Sequence, residues 1–138
     1  MTSAANAAPR PTVQHYGSPT MNGQRLPFSS AVRVGDILYL SGAIGRGPDG
    51  KPPEGIEAQA KATMDDIGNT LKLAGLRYDD IFHCTVMLSD MKNWSAFNQV
   101  YVTYFPDGPL PARSAFGANG LALGALLEIE CQAYAGKK

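Results

Sequence analysis

Arg113, in Pro111-Ala112-Arg113-Ser114, and Glu128, in Leu127-Glu128-Ile129-Glu130, are the residues whose types best suit small-molecule chemistry. A guanidinium fork meets a carboxylate in two parallel hydrogen bonds. A glutamate in reach of water can take its proton. Together they suit an anionic substrate whose neighbouring carbon is attacked by water. A structural Arg–Glu pair, or an arginine reaching a neighbouring subunit, explains the same residues and is the commoner arrangement in proteins. The other candidates are weaker. His15 and His83 are isolated, and His83 reads as a packed or interface residue; no Ser–His–Asp arrangement is suggested.

The elements that must position the pair follow from periodicity. Arg113 opens a strand predicted over 112–117, after a proline-pinned loop. Glu128 lies in a closing strand over 126–135, where Leu127, Ile129, Cys131 and Ala133 share one face. Glu128, Glu130, Gln132 and Tyr134 share the other. A simple hairpin centred near 119–122 would set Arg113 opposite Glu128. Upstream, strands are predicted over 13–15, 30–34 and 37–41, the last two joined at Gly35-Asp36, a type I′ signal in mirrored order. Residues 17–27 read as turn and loop. The Gly- and Pro-rich segment 42–55 follows no phosphate-loop or dinucleotide fingerprint and reads as a plain flexible loop.

Ala60, Met64, Ile67, Leu71 and Ala74 recur at helical spacing, with Gly75 as a stop. A buried strand is expected over 81–88. A second helix is expected over about 92–105, capped by Ser89 or Asp90, with Trp94, Phe97, Tyr101 and Tyr104 as a core stripe. Asn98 on that helix is expected to tie down a loop by hydrogen bonds. Six strands and two helices make an α+β layer with both helices on one sheet face. Strands 37–40 and 86–88 are apolar on both faces, which predicts an oligomer whose sheets pack together.

The bulk numbers bound the function. A chain of 138 residues fits one domain, here 13–138 behind a loose tail over 1–12 that is rich in Ala, Pro and Ser. Twelve basic and 12 acidic residues cancel, which argues against strong nonspecific binding to nucleic acid or acidic membranes. No apolar run approaches the ~20 residues of a membrane span, and the tail lacks a signal-peptide core, so the cytoplasm is the expected location. Cys84 and Cys131 form neither a CxxC pair nor zinc spacing. They read as buried free thiols in a reducing compartment. A disulfide would require their strands to be adjacent.

Six segments in order resemble the Rid family, also called YjgF or reactive-intermediate deaminases. They are Pro27-Phe28-Ser29-Ser30-Ala31-Val32, Leu38-Tyr39-Leu40-Ser41-Gly42, Ala74-Gly75 with Asp80-Ile81, Phe97-Asn98-Gln99-Val100-Tyr101, Pro111-Ala112-Arg113-Ser114 and Leu127-Glu128-Ile129-Glu130. The resemblance covers roughly 27–135. It implies a chorismate-mutase-like α+β fold, with a six-stranded mixed sheet and two helices on one face. It also implies a homotrimer with clefts between subunits, and no metal or cofactor. The implied reaction is hydrolysis of 2-imino acids, or their enamine tautomers, to 2-keto acids and ammonia.

By position, the resemblance implies that Arg113 grips the substrate carboxylate and Glu128 orients or deprotonates water. Ser41, Gly42 and the Ala115 backbone would line the pocket, Phe28 would form its apolar wall from the neighbouring subunit, and Asn98 joins the substrate-binding set. Deaminase members that resemble this chain carry tyrosine at the place of Phe28, often cysteine at that of Ala115 and glutamine at that of Ser30. The pocket here is correspondingly more apolar. With the resemblance, the functional reading of Arg113 and Glu128 overtakes the structural one. A carboxylate binder without catalysis is the alternative, and an endoribonuclease a more distant one that the zero net charge disfavours.

Overall fold

The computed structural model describes residues 7–137. Residues 1–6 of the expected tail lie outside the described residues, and 7–12 are exposed and carry no helix or strand. Six strands form one sheet: β1 (Val13–Tyr16), β4 (Ala31–Val34), β5 (Ile37–Leu40), β6 (Ile81–Leu88), β7 (Ala112–Gly117) and β8 (Leu127–Tyr134). Their order across the sheet is β1-β4-β5-β8-β6-β7. Only β6 and β7 run parallel, so the sheet is mixed. Residues 17–27, expected as plain loop, instead hold a ribbon of β2 (Thr20–Met21) and β3 (Gln24–Arg25). Asn22 and Gly23 both take positive φ at its tip, as a type I′ turn requires. At Gly35-Asp36 only Gly35 does (φ 58°), a feature of type II′ rather than the expected type I′.

Helix α1 (Ile56–Leu73) carries the predicted stripe, and Ala60, Met64, Ile67 and Leu71 are all buried. Helix α2 (Trp94–Tyr101) is extended at both ends by single 3-10 turns. The Asp90 carboxylate caps its approach by accepting from the Lys92 N–H at 2.9 Å. Phe97 and Tyr101 enter the core, but Trp94 is 44% exposed and is no core residue. The two helices cover one sheet face and share one core with Leu38, Val86, Leu88, Leu127 and Ile129. Burying each such side chain stabilises the fold by about 2 kcal/mol.

The largest departure from expectation concerns β7. It does not form a hairpin with β8; it lies parallel to β6 at the sheet edge, while β8 inserts between β5 and β6. The physical reason is the segment β6-α2-β7. A strand, a helix and a strand make a crossover that leaves the two strands parallel and adjacent. Strand β8 alternates buried and accessible positions and finds hydrogen-bonding partners on both sides only in the sheet interior.

Cys84 and Cys131 also depart from expectation. They are direct register partners on β6 and β8, with Cα atoms 4.1 Å apart, and they form a disulfide rather than two free thiols. On the sheet face away from the helices stand Val32, Ile37, Tyr39, Met87, Phe116 and Tyr134. Tyr39, Phe116 and Tyr134 are each more than 40% exposed there. Among the described residues no helix covers this face.

Candidate active site

The expected site residues fall into two groups within one chain. Glu128, Ser41, Gly42 and Phe28 line a single cleft of about 520 Å³. Arg113 and Ala115 stand on β7, beyond β6. Arg113 is in register with Cys84, whereas Glu128 pairs with Met87. Three residue steps of about 3.3 Å and two strand spacings of about 4.8 Å put their Cα atoms about 14 Å apart, on opposite faces. The hairpin pairing of Arg113 with Glu128 is therefore excluded.

The cleft is assembled by short-range fastening. After β5 the chain continues beside β8 through a two-way bridge: Ala43 N–H donates to the Ile129 carbonyl (2.8 Å) and Ile129 N–H to that of Ala43 (3.1 Å). This sets Gly42 against Glu128 so closely that a Cβ at position 42 would overlap Glu128 Oε1. The Ser41 hydroxyl donates to the Ser29 carbonyl (2.6 Å) and its N–H to that of Ser30 (2.9 Å), which ties the Phe28 segment to the same wall. The Ser41 oxygen retains a lone pair to offer a ligand.

Two buried polar residues of α1, which sequence reasoning passed over, hold the rest. The Gln59 amide donates to the Pro53 carbonyl (2.8 Å) and accepts from the Leu126 N–H (2.8 Å), two residues before Glu128. Thr63 Oγ1 accepts from the Gly45 N–H (2.9 Å). The signal was present: both are polar positions on an otherwise apolar helix stripe. Arg46 and Asp66 also line the cleft and were missed. Arg46 sits in what was taken for a plain loop, but the bonds to Ala43 and Gly45 pin that loop at its start. Burial pushes the Asp66 carboxyl up, against the pull of Arg46.

Arg113 is held differently. Its guanidinium carbon lies 4.8 Å from the centroid of the Tyr101 ring and 5.5 Å from that of Phe97. Contact with two aromatic rings holds the guanidinium without consuming its N–H donors. Among the described residues the guanidinium enters no ion pair or hydrogen bond, so the internal salt-link reading does not hold. Burial raises the Tyr101 hydroxyl against the opposing pull of Arg113. Asn98 Oδ1 and the Tyr101 hydroxyl, both on α2, are buried without partners among the described residues. Asn98 Oδ1 therefore makes none of the expected loop ties. His83 faces away from the helices beside Gln132, and His15 Nδ1 lies 3.1 Å from Ser29 Oγ. Among the described residues no group of three or more His, Cys, Asp or Glu gathers to hold a metal. No helix there is long and apolar enough to cross a membrane.

The family model described as endoribonuclease L-PSP matches residues 22–135. The chain belongs to the Rid (YjgF) family. A 2-iminobutanoate/2-iminopropanoate deaminase from Mus musculus is 38% identical over 112 residues, covering 80% of this chain and 82% of that protein. Reactive Intermediate Deaminase A, chloroplastic, from Arabidopsis thaliana is 36% identical over 107 residues, 76% of this chain and 57% of its own. Among solved structures, the conserved Rid protein YyfA from Yersinia pestis superposes with a TM-score of 0.81 at 33% identity, covering 89% of this chain and 99% of its own. The Rid fold is the chorismate-mutase-like one, and the mixed sheet with two helices described above is that fold.

Proposed function

We propose that the protein hydrolyses 2-imino acids, or their enamine tautomers, to 2-keto acids and ammonia, in a site completed by a second copy of the chain. The observation that carries this reading is the state of Arg113: a guanidinium held against two aromatic rings, with its donors unused among the described residues, on an edge strand. One chain separates it from Glu128, so the two can serve one substrate only across a boundary between copies. The uncovered apolar face of the sheet supplies a surface for such packing, and a homotrimer is the assembly we propose. Phe28 then stands with Glu128, on the copy opposite Arg113.

The chemistry needs little beyond positioning. Arg113 of one copy binds the substrate carboxylate through its fork. Glu128 of the neighbouring copy takes a proton from water as the oxygen attacks C2 of the protonated imine. The carbinolamine collapses, the nitrogen leaves as ammonia, and the carbonyl forms. An enamine must first gain a proton at its β-carbon. The relatives named as imine deaminases support this assignment. The test is keto-acid release from 2-iminobutanoate generated in situ, with the Arg113→Ala protein beside the wild type. We expect at least a 100-fold loss in the variant, of the order seen when one transition-state donor is removed. Equal rates for the two proteins would defeat the proposal. A second reading, carboxylate binding without turnover, draws on Phe28, which brings no hydroxyl to the cleft. Saturable binding of 2-oxobutanoate, with no rate above buffer, would favour it.

A further inference from the structure

The cleft extends well past Glu128. Its 520 Å³ exceeds what a four-carbon imino acid fills, and Arg46 and Asp66 line it alongside the apolar side chains of Leu26, Phe28 and Leu123. The placement of Arg46 is built in. Gly45 is buried, and a Cβ there would collide with the backbone of Ala62 and Thr63, so only glycine lets the loop lie flat on α1. The Thr63 hydroxyl then holds the Gly45 N–H at 2.9 Å. On the far side Gly47 N–H donates to the Lys51 carbonyl at 2.8 Å, closing the loop behind Arg46.

The Arg46 guanidinium is underused. Its one hydrogen bond among the described residues goes to Met21 Sδ at 3.2 Å, and a thioether is a weak acceptor. Among the described residues it closes no ion pair, although the Asp66 carboxylate is near enough to feel its charge. Within the cleft of one copy the charged groups are one cation and two carboxylates, Glu128 and Asp66. An added anion is therefore attracted at Arg46, against the opposing charge of Asp66 nearby, and repelled beside Glu128.

We propose that Arg46 is a specificity-determining residue which binds a second, distal carboxylate of the substrate, so that the cleft selects dicarboxylic 2-imino acids. This rests on the deaminase reading above and deepens it. The substrate's first carboxylate goes to Arg113 of the adjoining copy, its methylenes lie along Phe28, Leu26 and Leu123, and its far carboxylate meets the Arg46 fork. A charge-assisted bond of this kind discriminates by about 10- to 100-fold.

The experiment compares three imines made in situ by amino-acid oxidases: 2-iminobutanoate, five-carbon 2-iminopentanedioate, and an imine with a distal guanidinium. Wild-type protein is measured beside Arg46→Leu and Arg46→Lys. We expect kcat/KM to favour the dicarboxylate by at least tenfold. Arg46→Leu should lower that preference, the ratio of kcat/KM on the dicarboxylate to kcat/KM on 2-iminobutanoate, by about 10- to 100-fold, with Arg46→Lys in between. Equal losses on both substrates, no loss on either, or a wild-type preference for the cationic imine would overturn the proposal. If no imine is turned over, the deaminase reading fails by itself. Calorimetric binding of 2-oxopentanedioate then decides: weakening by Arg46→Leu keeps Arg46 as a carboxylate subsite, and unchanged binding removes it.

Discussion

Around Glu128 the chain is fastened from within. Gln59, Thr63, Ser41 and the Ala43–Ile129 bridge place the cleft walls through hydrogen bonds that close inside one molecule. Around Arg113 there is no comparable fastening. The residue stands on an edge strand against two aromatic rings of α2, a helix that also holds two buried polar atoms without partners among the described residues. The contrast fits the proposed assembly: one region closes its hydrogen bonds inside the chain, and the other leaves donors and buried polar atoms unused among the described residues.

The strongest way to break this comparison concerns the row that carries Arg113. Cys84 is its register partner and bonds Cys131 across a sequence separation of 47. Removing the bond by Cys84→Ala with Cys131→Ala should cost about 4 kcal/mol by the loop-entropy argument. Denaturant unfolding of the oxidised protein and the double variant measures it. A loss under about 1 kcal/mol would mean that the bond contributes little to the Arg113 side.

The division into two half-sites is sharpened by mixing. Arg113→Ala and Glu128→Gln should each lower kcat/KM at least ~100-fold, about 2.7 kcal/mol. Subunits of the two variants, exchanged and reassembled, should regain part of the wild-type rate, because some boundaries then carry both native residues. No recovery after verified exchange would place the two residues in separate functions.

The internal fastening of the Glu128 side predicts a smaller effect. Thr63→Val leaves the buried Gly45 N–H without an acceptor and should cost about 1–3 kcal/mol in thermal or denaturant unfolding. Its activity loss should fall more heavily on substrates that reach Arg46 than on 2-iminobutanoate. The least effect is a pH dependence at Asp66. Burial raises its carboxyl, so the folded state holds the proton more tightly than the unfolded chain. Its contribution is then most favourable below the ordinary carboxylate range, about pH 4, and is lost as pH rises through the raised value. Asp66→Asn should remove that decline, and the variant's Tm should gain on the wild type as pH increases. A parallel pair of Tm–pH curves would contradict it.

Much of this was legible before the fold was known. Strand periodicity located β6 and β7 with their full spans and β8 to within a residue at each end, and helical spacing located the core stripe of α1. What failed was neighbourhood. Alternation along a strand says which residues share a face, not which strand lies beside it, so Arg113 and Glu128 were paired by a hairpin that the β6-α2-β7 crossover forbids. The same limit hid the disulfide, which needs β6 and β8 side by side, and it hid Arg46, whose loop looked free until Gly45 met Thr63.

The amino-acid order alone determined the two helices and the six strands of the main sheet, the single α+β layer, the apolar character of both sheet faces and the six segments that mark the family, because these depend on local propensity, period and residue type. The tertiary structure alone decided that Arg113 and Glu128 lie on opposite faces, that Cys84 meets Cys131, and that Arg46 shares a cleft with Glu128. Those facts depend on strand order and on close approach between residues distant in the chain, which no local pattern encodes.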